Sequence, residues 1–236
     1  MTRVLFVGEP PRRRTLGRLR DAGIDPVLVG LGRVALERLG LEHPDVCVLD
    51  LVLPDLDGHV LIELARARGV LTPMIAVADE HEEHRLIRAL ELGADDYIMR
   101  PYSDEDLVAR IRATNLRSAR QRAGEELDET IEIGRLRIEP RHFQAYLDGR
   151  SACLTPTEFR VLHLLAVSRG RVLSREELLR RIWGRSQAPR DRTVDVCIKR
   201  LRDKIDRRSP EQTFIQTRFG VGYMLEPLER EPAAAS

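Results

Sequence analysis

The 236-residue sequence holds three cysteines, Cys47, Cys153 and Cys197, far apart and without any C-x-x-C spacing. Neither a disulfide framework nor a thiolate zinc site is supported, and a reducing compartment fits. No apolar run approaches the roughly 18 residues of a membrane span. The first one ends at Gly8-Glu9-Pro10, too early for the h-region of a secretory signal, so a cytoplasmic protein is expected. The six histidines lack ligand spacing. His81 and His84 lie in the acidic stretch DEHEEH, which reads more readily as a solvated helix start, and His43, His59, His142 and His163 stand apart. A Ser/His/Asp arrangement and a phosphate-cradling glycine loop are also missing, which argues against an enzyme.

What is present describes a globular chain: 42% hydrophobic and 33% charged residues, at a length that suits two compact domains. The formal net charge of +1 conceals an asymmetry, because residues 1–113 carry −5 and residues 131–229 carry +7. An acidic front half and a basic back half suit a protein whose back half meets a polyanion, although solvated faces that differ by chance would give the same balance.

In the front half, short apolar runs alternate with helical periodicity. RVLFVG (3–8), DVCVLDLVL (45–53), PMIAVA (73–78) and DYIM (96–99) read as strands buried on both faces. Helical stretches separate them at 15–23, 59–69, 83–93 and 103–117, the last capped by Ser103 and opened by three acids. Repeated strand-then-helix order implies right-handed crossovers and a parallel sheet, with chemistry at the carboxyl ends of its strands.

Residues 114–130 lose apolar periodicity in a basic run followed by an acidic one, a solvated linker. TIEIGRLRIEP and FQAYLDGRSACL then alternate like antiparallel strands with a turn at Asp148-Gly149. Three helical segments follow. The first opens with Thr155 as cap, Pro156 at the first helical position and Glu158 placed for a capping box. The second runs from Ser174 to Gly184 and the third from Arg190 to about Arg207. TFIQTRFGVGYML reads as a hairpin, and the tail 230–236 as disordered.

The third helical segment places Val194, Ile198, Leu201 and Ile205 on one buried face. The opposite face is centred on Arg192, Val196, Lys199, Arg200 and Asp203, flanked by Thr193 and Lys204. Such a face can enter a major groove, where Arg reads guanine, Lys and Thr take phosphates and Val meets a thymine methyl. An ordinary amphipathic surface helix has a similar pattern. The groove reading is favoured because the segment closes a helical trio and precedes a glycine-bearing hairpin with Arg218.

At this point LTPTEFRVLHLLAVSRGRVLSREELLRRIWG, DRTVDVCIKRLRDKI and IQTRFGVGY resemble the winged-helix effector domain of OmpR/PhoB-type response regulators. The front half resembles the matching receiver through LDLVLPDLDG, ELGADDYIMRPYS and its strand-helix order. The resemblance implies an α/β fold class: a (βα)5 flavodoxin-like receiver over 1–113, then an α+β winged-helix domain over 131–229 with an N-terminal antiparallel sheet and a C-terminal hairpin. It implies double-stranded DNA bound at tandem half-sites by a homodimer, with RNA polymerase and a sensor kinase as further candidate partners and no membrane partner. The recognition positions it carries over are Arg192, Thr193, Cys197, Lys199, Arg200 and Arg202; Val196 and Lys204 join them from the helical face and Arg218 from the wing. Trp183 stands at the mouth of the loop 184–189, where family members touch DNA or polymerase. Across the dimer face, Asp96 is expected to pair with Arg110 and Glu91 with Arg112. Two departures stand out: Cys197 occupies a place where His is frequent, and Arg218-Phe219-Gly220 replaces the usual Val-Arg-Gly, moving the cation by one strand position.

The resemblance also implies a phosphoacceptor, matched by Asp50. The acidic pair that would share Mg²⁺ falls on Gly8 and Glu9, the switch hydroxyl on Ala78, the lysine on Arg100 and the switch aromatic on Tyr97. In this degenerate pocket no cofactor is expected beyond weak Mg²⁺ at Glu9 and Asp50. Two arrangements stand for Arg100: an ion pair with Asp50 in the place of phosphate and metal, or outward packing. The expected function is a sequence-specific DNA-binding transcriptional regulator, dimeric through its receiver and largely phosphorylation-independent. The alternative is a conventional two-component regulator switched at Asp50. A phosphohydrolase with Asp50 as nucleophile is disfavoured, since Gly8 and Ala78 deny it a partner acid and a complete metal site.

Overall fold

The computed structural model describes residues 1–115, 129–186, 191–209 and 211–229. The chain divides into two compact units, 1–122 and 123–236. Most of the expected linker and the tail 230–236 lie outside the described residues, as do residues 187–190 of the loop before the third helix.

In the first unit five strands, β1 (Thr2–Val7), β2 (Ile24–Val29), β3 (Val46–Asp50), β4 (Met74–Asp79) and β5 (Asp96–Arg100), form one parallel sheet in the order β2-β1-β3-β4-β5. The helices α1 (Arg13–Asp21), α2 (Gly32–Glu42), α3 (Gly58–Ala67), α4 (Glu83–Leu92) and α5 (Asp104–Thr114) alternate with them. β3 is buried along its whole length and β4 along all but its last residue, as expected for strands covered on both faces. β2 and α2 are not marked by the apolar runs. β2 is an edge strand that contains Pro26 and exposes part of its length, a place where proline costs no ladder hydrogen bond.

Strand order reverses at β1, so the carboxyl ends of β1 and β3 flank the switch point where such sheets place their chemistry. Below it, Arg66 of α3 binds the far ends of the sheet together. Its guanidinium donates to the carbonyls of Val70, Thr72 and Gly93 and to the buried carboxylate of Asp95, 2.8 Å away.

The second unit opens with a four-stranded antiparallel sheet, β6 (Ile131–Ile133), β7 (Leu136–Glu139), β8 (Gln144–Leu147) and β9 (Arg150–Ser151), paired in sequence order. The helices α6 (Pro156–Val167), α7 (Arg175–Trp183) and α8 (Thr193–Lys204) follow. A second sheet, ordered β10-β12-β11, combines β10 (Leu173–Ser174) with the hairpin of β11 (Gln212–Arg218) and β12 (Gly222–Glu229). Phe159, Phe214, Leu162 and Leu165 anchor one core under both sheets and all three helices. Thr155 and Glu158 form the reciprocal capping box at α6, and Ser174 accepts from the Glu177 amide at α7. α8 begins three residues later than its amphipathic pattern, and a short 3₁₀ turn, Asp206–Arg208, takes over its last positions. Among the described residues no helix is long and apolar enough to cross a membrane.

Candidate phosphoacceptor site and nucleic-acid interface

Asp50 ends β3 at the switch point, its side chain almost fully buried. One carboxylate oxygen, Oδ2, accepts the backbone N–H of Glu9 at 2.7 Å; the other, Oδ1, is held by the guanidinium of Arg100 from the end of β5. Glu9 thus reaches Asp50 through its amide. Gly8 shapes this approach. Its φ is +106°, and a Cβ there would come within 2.5 Å of Asp50 Oδ2, so the backbone passes where no side chain fits.

Ala78 is buried on β4 and brings no hydroxyl. Tyr97 is half-buried, with the Arg110 guanidinium 6.0 Å from its ring centroid. Burial pushes the Asp50 carboxyl above the usual carboxylate range against the pull of Arg100 and the Glu9 amide. Beside the ion pair opens a cleft of about 530 Å³ whose walls include Glu9, Arg12, Asp79, Arg100 and Tyr102. Among the described residues no three His, Cys, Asp or Glu side chains come together as a metal site.

Three of the residues expected at the dimer face also have partners within the chain. Asp96, with no exposed side-chain surface, pairs with Arg110 Nη1 at 3.2 Å, and Arg112 donates to the Ala22 carbonyl at 3.0 Å. The short crossing from β5 to α5 brings Asp96 and Arg110 of one chain together. Glu91 is exposed on α4.

α8 also departs from its sequence pattern. Arg192 and Lys199 are exposed, but Thr193, Val196 and Cys197 are buried. Thr193 donates its N–H to Asp191, and its hydroxyl accepts from Arg185. Cys197 belongs to the core, as does Trp183. Arg200 Nη2 lies 2.6 Å from Glu158 Oε1 and Lys204 Nζ lies 2.7 Å from Oε2, a triad around a buried carboxylate that joins α8 to α6. Arg202 donates to the Ile215 carbonyl and to Thr217 Oγ1. Arg218 folds back onto the hairpin, donating to Glu226 and facing the Met224 sulfur.

Arg200 and Lys204 fall on or beside the outer face of a helical wheel because the wheel counts cations as solvated; it cannot see an acid buried on the neighbouring helix. Burial alone would raise the Glu158 pKa, yet Arg200 and Lys204 beside it hold the carboxyl below the usual range. The sequence marks Glu158 as a capping residue only, and the triad has no sequence signal beyond two cations four residues apart. A second unforeseen cluster centres on Tyr223. Its hydroxyl donates to Asp195, and Arg175 lies 4.9 Å and Arg202 5.7 Å from its ring centroid. Burial and the neighbouring Asp195 push the phenol up to about 12.

A doubly wound parallel sheet with an aspartate at its switch point, followed by a three-helix unit with a C-terminal hairpin, defines a response regulator with a winged-helix DNA-binding effector. Comparison with known proteins agrees. Residues 12–112 match the response regulator receiver domain, and residues 149–225 match the family described as transcriptional regulatory protein, C terminal. The chain is 37% identical over 213 residues to the alkaline phosphatase synthesis transcriptional regulatory protein PhoP of Bacillus subtilis, covering 88% of this chain and 89% of that one. It is 37% identical to the transcriptional regulatory protein BaeR of Escherichia coli over 95% of this chain and 92% of that one. A solved structure of a RitR mutant aligns with a TM-score of 0.70 at 26% identity, covering 96% and 99% of the two chains. The chain belongs to the OmpR/PhoB family of response regulators, DNA-binding regulators of transcription.

This placement corrects the expectation of a largely phosphorylation-independent regulator. The chain matches full-length members of a phosphorylation-activated family over nearly its whole length, and the alternative, a conventional regulator switched at Asp50, is the better supported reading.

Proposed function

We propose that the chain switches transcription through phosphorylation of Asp50. The observation that carries this reading is the carboxylate of Asp50 at the open end of the sheet, held between the Arg100 guanidinium and the Glu9 amide beside a cleft with room for a phosphodonor. An Asp50 oxygen attacks the phosphorus of the donor, the bond from phosphorus to its leaving group breaks, and an acyl phosphate results. Arg100 is the cation at hand for the phosphoryl oxygens, and its planar fork suits two of them at once. In turning from carboxylate to phosphoryl group it alters the end of β5, the strand whose other end carries Asp96, the partner of Arg110 on α5.

Asp50 and Glu9 are the carboxylates that fit a weakly held Mg²⁺, an ion commonly bound by one or two carboxylates with water and phosphate oxygens completing its shell. When bound, it would neutralise developing charge on the phosphoryl group. A sensor kinase is the natural donor. Phosphorylation then favours a homodimer on tandem DNA half-sites, with the exposed Arg192 and Lys199 contacting DNA and RNA polymerase as a further partner.

The test is incubation of the full chain with acetyl phosphate and Mg²⁺. One phosphoryl group should be added to the wild type and none to Asp50→Asn, with tighter DNA binding only in the wild type. An unmodified wild-type chain under these conditions would overturn the proposal.

A further inference from the structure

The turn between β11 and β12 carries an aromatic side chain with no place in the functions described so far. Phe219 is 93% exposed and Val221, two residues on, is 55% exposed. Among the described residues every other Phe, Tyr and Trp side chain is buried or half-buried. A phenyl group left in water at this level forfeits the burial that elsewhere makes phenylalanine a core residue, and its place at a turn supplies no packing in return.

The turn is rigidly built. Gly220 adopts φ +73°, and the Val221 N–H closes the reversal on the Arg218 carbonyl at 2.9 Å. Arg218 is drawn back along the hairpin to Glu226 and Met224, so the foremost group at the tip is a phenyl ring and not a cation. At its base the hairpin is tied to α8. Tyr223 donates to Asp195, and Arg202 donates to Ile215 and Thr217 of β11. Phe219 is therefore presented at a fixed position relative to the helix that carries Arg192 and Lys199.

We infer that Phe219 is an apolar wedge that enters the minor groove of bound DNA, packing against deoxyribose walls and the edge of a base step. An α-helix fits the major groove, whereas the minor groove, about 6 Å wide, admits single side chains. Phenylalanine is among the residues that enter it this way, partly unstacking a step and bending the duplex. The neighbouring Val221 extends the apolar tip. Such a contact favours easily deformed pyrimidine–purine steps, and because it displaces no counterions it leaves the salt dependence of binding unchanged.

The inference rests on DNA binding by this chain, and the experiment separates the two. A duplex is first enriched from a random-sequence pool by the wild-type full-length chain, in parallel with and without acetyl phosphate and Mg²⁺, and 2-aminopurine is placed at successive steps along it. Phe219→Ala should weaken binding by about tenfold or more, the scale of burying one phenyl group, with the same slope against salt and the same melting temperature. Phe219→Leu should recover part of the affinity. Wild type should raise 2-aminopurine fluorescence at one step, and Phe219→Ala should not. Equal affinity and equal fluorescence for wild type and Phe219→Ala would overturn the wedge and leave the phenyl group to a protein partner. A steeper or shallower salt slope in Phe219→Ala would also overturn it, as a sign that the tip acts through phosphate contacts. Failure of the wild type to enrich any duplex would overturn the DNA-binding reading along with the wedge.

Discussion

Glu158 on α6 and Arg200 on α8 form an ion pair in which the carboxylate has no solvent-exposed surface. The helix expected to read DNA is thus fastened to the first helix of its own unit by one of the cations it might have offered to a base. Arg200→Ala leaves Glu158 with Lys204 alone and should destabilise the second unit by about 3 kcal/mol, in the range for breaking a buried pair. Urea unfolding measures this. Unchanged stability combined with lost DNA affinity would instead assign Arg200 to the DNA.

The same triad sets a pH dependence. Glu158 is held below the ordinary value in the folded chain, so its contribution is present above the unfolded pKa of about 4.3 and is lost as pH falls through the folded value. Glu158→Gln should therefore flatten the acid limb of the stability profile. Urea midpoints for wild type and variant should differ most above that value and converge at the acid end.

At the phosphoacceptor, Arg100→Ala should cut the yield of acyl phosphate from acetyl phosphate and Mg²⁺ by about tenfold or more, by removing a charge-assisted partner of the phosphoryl oxygens. Arg100→Lys should restore part of it, since an ammonium keeps the charge and loses the fork. Acid-quenched mass spectrometry reads both. A yield unaffected by Arg100→Ala would exclude Arg100 from this role.

Gly8→Ala should cost about 1–3 kcal/mol, because φ +106° strains any side chain and the new methyl group meets Asp50 Oδ2. The displaced carboxylate should also lose its bond from the Glu9 amide. Thermal unfolding of the first unit and phosphoacceptance by the full chain should both fall.

Asp96→Ala should leave Arg110 without its buried carboxylate and lower the stability of the monomer by about 2–4 kcal/mol. Sedimentation at a concentration where the wild type is monomeric, combined with urea unfolding, distinguishes this from a loss confined to the dimer.

Local physics carried much of this protein. Apolar runs that read as doubly buried strands, a hydroxyl cap before acids at α5 and the Thr155–Glu158 box all fold as their sequence dictates, because each depends on neighbours within a few residues. Asp50 is different: the apolar run 45–53 continues past it, and only the fold ends β3 there. β2 escaped because an edge strand with a proline does not need a continuous apolar run. What required the tertiary structure was every relationship between side chains distant in sequence. Arg100 meets Asp50, Arg66 meets Asp95, and Arg200 and Lys204 meet Glu158 only because strands and helices cross there. Charge periodicity ranks a residue as solvated unless an opposite charge is known to be buried opposite it, and only the packing of α6 against α8 supplies that charge. The exposure of Phe219 likewise belongs to the fold, since a hairpin reading of the sequence does not say which residues stand at its tip.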